Sequence, residues 1–346
     1  MLKNYLKVAL RNLWKNKAFS AINIIGLSAG LAVCLLIVLY VINELGYDKY
    51  NANADRIYRI DADIFFNNTL FTAATSPEPF APTLMREYPQ VEQMVRLNSQ
   101  GDILIKKGNQ NIQDHHAVFA DSTFFKVFTV PMIKGNPATA LNGPNSIVID
   151  ETAAKRYFNS TDVVGKTLYV DNSTNCKITG VIKDIPRQSH FHFSFIRPLM
   201  DTYRGNANEW LNNSNQSYIL VKQGVTQAAM QAHVDEIVQR YVYKELESLF
   251  HASAKDLQHQ GNYFRFHLMP LTNIHLHSDK SYEFEANGNI TYVYIFSMIA
   301  VFILLIACVN FMNLSTARSA NRAKEVGIRK VSGSSRAHLI TQFLTE

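Results

Sequence analysis

Two uncharged stretches constrain this chain more than anything else in it. Residues 18–43 and 286–317 contain no Asp, Glu, Lys or Arg. Each is long enough to supply the ~20 residues that cross ~30 Å of hydrocarbon as a helix rising ~1.5 Å per residue. The expected spans are residues 21–42 and 289–314, with Tyr292 and Tyr294 at the outer edge of the second, where aromatic belts form. A cleaved secretory signal would end its apolar core after ~7–15 residues at a small-residue site. Here the run continues to Ile42 and meets Asn43-Glu44 instead. Leu31-Ala32-Val33-Cys34 faintly resembles a lipoprotein cleavage box, but Val33 suits it poorly and further apolar residues follow Cys34.

Charge orients the spans. Lys3, Lys7, Arg11, Lys15 and Lys17 place +5 before the first run, and the tail after the second carries +4. The segment between holds 23 Lys plus Arg against 26 Asp plus Glu, or −3, within a net +6. Cationic flanks stay in the cytoplasm, so both ends are expected there and residues 43–288 outside. The basic balance therefore reports topology, and no nucleic-acid partner is expected. In residues 1–20, Leu2, Leu6, Leu10 and Leu13 recur opposite Lys3, Lys7, Arg11 and Lys15, as in a basic amphipathic helix on the bilayer surface or a packed extension of the span. Cys34 and Cys308 fall in the spans and Cys176 is alone outside, so no disulfide can hold the outer segment.

Within the spans, Gly26 and Gly30 form a small-xxx-small pair suited to close helix packing, although glycine is also simply common in membrane helices. Asn310 and Asn313 are amides that seek partners on other helices, which implies more spans or a second copy.

Strands open and close the outer segment with helices between them, so it reads as α+β, in two subdomains. Tyr58, Ile60, Ala62 and Ile64 alternate with Arg59, Asp61 and Asp63, predicting a strand with one solvent face. Helical spacing predicts a helix over 79–94 and a long one over 226–250. Residues 146–149 read as a strand, Asp150 as an N-cap and 151–158 as a helix. A hairpin is expected around Asp171-Asn172-Ser173, and a strand through Phe264, Phe266 and Leu268.

Catalytic constellations are missing from this reading: there is no Gly-x-Ser-x-Gly elbow and no HExxH helix. Gly165-Lys166-Thr167 ends like a phosphate-binding loop, but the glycine required five residues earlier is Ser160, so a turn is expected. His115-His116, His190 with His192, and His275 with His277 are paired; on a strand the last two pairs would each share a face, as metal ligands must. No supporting cysteine or glutamate cluster accompanies them.

After the second run the chain reads Arg322-Ala-Lys-Glu325-Val-Gly327-Ile328-Arg329-Lys330-Val-Ser-Gly333-Ser334-Ser335. This continues a helix with a cationic face, breaks at Gly333 and resumes at Arg336. The segment resembles the hallmark of FtsX/MacB-type ABC transporter permeases. Arg11-Asn-Leu-Trp14-Lys-Asn-Lys17 and Asn23-Ile-Ile-Gly-Leu-Ser28 resemble the start of such permeases, those of Bacteroidota most closely. Phe119-Ala-Asp-Ser-Thr-Phe-Phe125, the 145–150 segment and Val164-Gly-Lys-Thr-Leu168 resemble a MacB-like periplasmic core domain.

The resemblance implies a non-catalytic inner-membrane permease subunit of an export or mechanotransmission complex. No cofactor is expected on this chain; ATP and Mg²⁺ would sit on a separate ABC-type ATPase. That partner would dock on the 315–346 elbow, with Glu325, Gly327, Ile328, Arg329, Lys330, Gly333, Ser334 and Ser335 as contact candidates. A second copy or repeat and periplasmic or outer-membrane proteins are the other implied partners. Two spans where the family has four, and an end inside a helical pattern, suggest an N-terminal piece. A membrane sensor is the rival reading, and it would need a signalling coiled coil where the elbow stands.

Overall fold

The computed structural model describes residues 11, 14, 17–202, 209–251, 253–259 and 261–333. Most of the amphipathic segment at 1–20 therefore lies outside the described residues. Two compact units form: Met1–Asn43 with Ile290–Glu346, and Glu44–Asn289. The first opens with α1 (Lys17–Glu44), which is long and apolar enough over Ser20–Glu44 to cross a membrane.

The second unit is built on β1 (Ile57–Phe66), β2 (Thr69–Ala73), β3 (Ser76–Pro77), β4 (Val91–Lys107), β5 (Gln110–Ala120), β6 (Met132–Gly135), β7 (Ser146–Asp150), β8 (Thr167–Val170), β9 (Thr174–Ile182), β10 (Phe195–Pro198), β11 (Asn213–Val221) and β12 (Tyr263–Pro270). Among the described residues these form one mixed sheet whose main path runs β12-β1-β11-β4-β5-β10-β7-β9-β6. The strands that open and close the unit lie side by side, antiparallel, from Tyr58↔Pro270 to Phe65↔Tyr263.

Helices cover the sheet through three apolar cores. α2 (Phe80–Glu87) and a long helical stretch pack Phe80, Leu84, Met230, Val234 and Leu246 on Ile60, Ile64 and Phe266. A second core gathers Ile57, Leu97, Phe124, Phe128, Phe191 and Leu220. The third sets Ala153 and Ala154 of α3 (Glu151–Phe158) on Ile103, Ile147 and Ile178. The sheet is continuous across all three, so the parts of this α/β unit share one sheet.

Local rules explain several elements. Asp150 caps α3 by accepting from the Ala153 amide at 2.5 Å, and Asn159 closes it in the left-handed region. The β8–β9 turn uses left-handed Asp171 and Asn172, residues that tolerate it. Thr226 caps α4 (Gln227–Ile237), which passes through a π-helical turn, Val238–Val242, into α5 (Tyr243–Phe250). That turn keeps Val242, Tyr243 and Leu246 on the buried side.

Two expectations are corrected. The helix predicted over 79–94 stops at Glu87, because Pro89 restricts Tyr88 to its extended conformation (φ −121°, ψ 105°). Val91 and Met94 instead pair with Val221 and Ile219 in the sheet. Nor does β1 have a solvent face: Arg59 and Asp61 are as buried as Ile60. The segment 278–287 lies across them, pinned by reciprocal backbone bonds of Ser281 with Thr72 and Ala74 and by Gln216 Nε2 donating to the Tyr282 carbonyl at 2.7 Å.

The chain leaves this unit through a short helix, α6 (Ile274–His277), and the 278–287 strap. It then forms α7 (Ile290–Val331), a single helix of 42 residues. Its segment Ile290–Asn313 is again long and apolar enough to cross a membrane.

Candidate functional site

The helix-packing and elbow residues belong to the first unit. A Cβ built on Gly26 would lie 3.3 Å from Asn310 Nδ2, and one on Gly30 3.2 Å from Ala307 Cβ, so both glycines face α7. Cys34 Sγ donates to the Ala300 carbonyl and Tyr40 meets Phe296 edge-on at 5.3 Å, which extends the same antiparallel contact. Asn313 is exposed on α7. Glu325, Gly327, Ile328, Arg329 and Lys330 all fall on the last turns of α7, and Gly333 (φ +91°) follows its end. No described atom lies within 4 Å of a Cβ on Gly327, and Ile328 and Val331 are 62% and 90% exposed. Ser334 and Ser335 lie outside the described residues.

Gly165 and Lys166 sit in a turn into β8. Their amides donate to the Ile178 and Val163 carbonyls, and the Lys166 ammonium lies over the Phe158 ring. Those N–H groups point at protein oxygens rather than at an anion. His275 and His277 are on α6, not on a strand, and His190 and His192 lie in irregular chain before β10. Among the described residues no three potential ligands gather as a metal ion would need.

Sequence reasoning missed a polar junction where the chain enters and leaves the α/β unit. Arg59 is fully buried: its Nε donates to Asp61 Oδ1 at 2.6 Å, Nη1 to Glu283 Oε2 at 2.5 Å, and Nη2 to Ser278 Oγ at 2.9 Å. Burial alone would drive the Asp61 carboxyl upward, and the adjacent guanidinium opposes this. Just after α1, Asp48 holds His190 Nδ1 at 2.8 Å, and His190 Nε2 lies 2.8 Å from the Tyr218 hydroxyl. Tyr218 donates onward to Gln216 Oε1. His192 Nδ1 meets Glu285 at 2.8 Å while its Nε2 donates to the Pro186 carbonyl. The last residue of α1, Glu44, accepts from His275 Nε2 at 2.9 Å, and the Tyr47 ring stacks flat on His275. The signal that could have found part of it is the carboxylates beside the uncharged runs, Glu44 and Asp48 after the first and Glu283 and Glu285 before the second.

Residues 20–237, more than half of the 346-residue chain, match the MacB-like periplasmic core domain. The chain belongs to that family. Residues 297–346 match the FtsX-like permease C-terminal segment, where a sensor would carry its signalling coil. This MacB-like chain is thus a member of the ABC-transporter permeases, membrane-embedded proteins with a periplasmic domain. It is 22% identical over 99% of its length to the pyoverdine export ATP-binding/permease protein PvdT of Pseudomonas aeruginosa, and 21% identical over its whole length to that of Pseudomonas fluorescens. It spans about half of these relatives, 48% and 49% of their length. Its fold resembles a crystallised domain of a protein described as a permease in Porphyromonas gingivalis, with a TM-score of 0.53 at 20% identity, covering 64% of this chain and 91% of that one.

In the MacB-like unit the junction is electrostatically distinct. The His192 pKa is raised by its hydrogen bond to Glu285, against its partial burial. Burial pushes the Tyr47 hydroxyl up, helped by Glu44. Tyr218 is held far above the ordinary tyrosine range by complete burial.

Proposed function

We infer that the full-length protein is the permease subunit of an ABC-type export or mechanotransmission complex. The ATPase, with its ATP and Mg²⁺, is a separate chain in this reading. Both ends of the present chain are cytoplasmic and residues 43–288 lie outside the inner membrane. The work done there is efflux of small molecules or peptides, or the handling of lipoproteins. The pyoverdine export named for the relatives belongs to the first class.

One observation carries the reading: α7 is continuous from Ile290 to Val331. The apolar segment and the elbow as far as Val331 are therefore one helix, ~63 Å long at ~1.5 Å per residue. Displacement of its cytoplasmic end is passed along its length. The exposed Ile328 and Val331, with open space at Gly327, offer a partner an apolar strip, and the cations around it offer charge. Glu325 would pair with a basic residue of the ATPase and Arg329 with a carboxylate.

Glu325→Lys in the full-length protein tests this. Losing a charge pair at an interface costs ~2–5 kcal/mol of binding. ATPase co-purification should fall sharply, while membrane insertion and protease resistance of the α/β unit are unchanged. Wild-type ATPase association and transport in the variant would reduce the elbow to a cationic anchor.

A further inference from the structure

The junction holds a contact with features that a simple surface ion pair lacks. Glu44 and His275 are both largely buried and 2.9 Å apart, although 231 residues separate them in sequence. Tyr47 lies parallel to the imidazole, with ring centroids 3.3 Å apart, and fixes its plane. Gly288, two residues before α7, closes the remaining side. A Cβ there would come within 2.8 Å of Glu44 Oε2 and 2.9 Å of His275 Nε2. Three stretches of chain therefore meet at one pair: the end of α1, the short helix α6, and the residues that lead into α7.

Two of these stretches are separately fastened to the α/β unit, the strap directly to β1 through Arg59. Behind Glu44, the Asp48 amide donates to the Gln188 carbonyl, and Asn51 Oδ1 accepts from the Thr129 amide at 2.9 Å. The strap before α7 is held by Glu283 on Arg59, Glu285 on His192, and Asn287 Nδ2 on the Ser278 carbonyl. Glu44 with His275 ties the first of these attachments to the second.

We propose that Glu44 and His275, positioned by Tyr47 and Gly288, form a coupling joint that makes the two chain crossings into the α/β unit move as one body. The proposal rests on the coupling function inferred above and names the residues that carry it. With the joint intact, displacement of α7 is delivered to β1 and β12 together with that of α1. With the joint open, each crossing moves on its own fastenings and the sheet receives less of the stroke.

Gly288→Ala opens the joint with little other damage. Its backbone φ lies outside the left-handed region, and a Cβ there meets Glu44 Oε2 at 2.8 Å, His275 Nε2 at 2.9 Å and Leu276 Cδ2 at 3.2 Å, so the pair itself must separate, the flexible Glu44 side chain yielding most readily. His275→Ala removes the donor outright. His275→Gln keeps an N–H near the position of Nε2 and serves as the conservative variant.

The experiment is hydrogen–deuterium exchange on the full-length permease bound to its ATPase, without nucleotide and after trapping with ATP, Mg²⁺ and vanadate. Wild type should show trapping-dependent changes both in the 315–331 segment and in residues 57–66 and 278–285. Gly288→Ala and His275→Ala should keep the first change and lose at least threefold of the second, with His275→Gln close to wild type. Variants that transmit the change undiminished overturn the joint. General loss of protection before any nucleotide is added, in Gly288→Ala as well as His275→Ala, assigns the pair to stability and also overturns it. A wild type that changes only in 315–331 refutes the coupling function itself, and the joint with it.

Discussion

Arg59 makes five hydrogen bonds, to Asp61, Glu283 and Ser278, with no exposed surface. Removing one member of such a buried group strands the others, at a cost of ~3–5 kcal/mol. Arg59→Met should destabilise the unit by about that much, because two carboxylates are left in apolar surroundings. Chemical denaturation followed through Trp210, which stacks on Tyr241, would measure it. Arg59→Lys should rescue little, since an ammonium cannot fork onto two carboxylates. His192 behaves differently. Its pKa is raised by Glu285, so the folded protein holds that proton more tightly than the unfolded chain. The stabilisation is complete below the unfolded value of about 6.5 and is lost as pH rises through the higher folded value. Thermal unfolding between about pH 6 and about pH 8.5 should show Tm falling through that window, less steeply in His192→Gln. The pair is about a third exposed, so its contribution stays below ~1 kcal/mol. His192 stood out in sequence only as one of a histidine pair, and Arg59 not at all: it alternates with apolar neighbours as a solvated residue would, and its partner Glu283 is 224 residues away.

At the scale of elements, β12 is an edge strand whose outward backbone groups are satisfied by side chains. Gln231 of α4 accepts from the Leu268 amide at 2.9 Å and donates to the Phe266 carbonyl at 2.7 Å, imitating a residue of a neighbouring strand. Gln227 donates to the Leu268 carbonyl, and a cleft of about 770 Å³ lies alongside, lined in part by Gln231, Tyr243 and Arg265. Gln231→Leu should cost ~1–3 kcal/mol by leaving buried backbone groups unpaired. It should also promote edge-to-edge association, visible as a concentration-dependent mass by light scattering. Elements with a local chemical stop were legible in sequence: Asp150 before α3 and Asp171-Asn172 between β8 and β9. Where two periodicities overlapped, the local pattern misled. Leu84, Met85, Tyr88, Val91 and Met94 fit a helical stripe, yet Pro89 divides them between α2 and β4. The 278–287 strap has no period at all, because side-chain pairing and short backbone contacts hold it in place of a ladder.

For the whole molecule, the uneven charge that predicted two long apolar helices also predicts their orientation, and labelling can decide it. Asn172 is in the left-handed region, so Ser173, exposed in the same turn, is the better cysteine site. A Ser173→Cys variant should react with an impermeant maleimide from the periplasmic side of an intact inner membrane, while buried Cys176 stays silent. Labelling only after the inner membrane is opened would reverse the proposed topology. The adjacency of β1 and β12 has a consequence of another kind. Residues at the two ends of the unit, such as Tyr58 and Pro270, are ladder partners, so their Cα atoms are ~4.5–5.5 Å apart whatever lies between them. More than two hundred residues thus hang from an opening no wider than a hairpin. A change confined to the chain between them would leave the spacing of these first and last strands as it is, so long as the β1–β12 ladder forms.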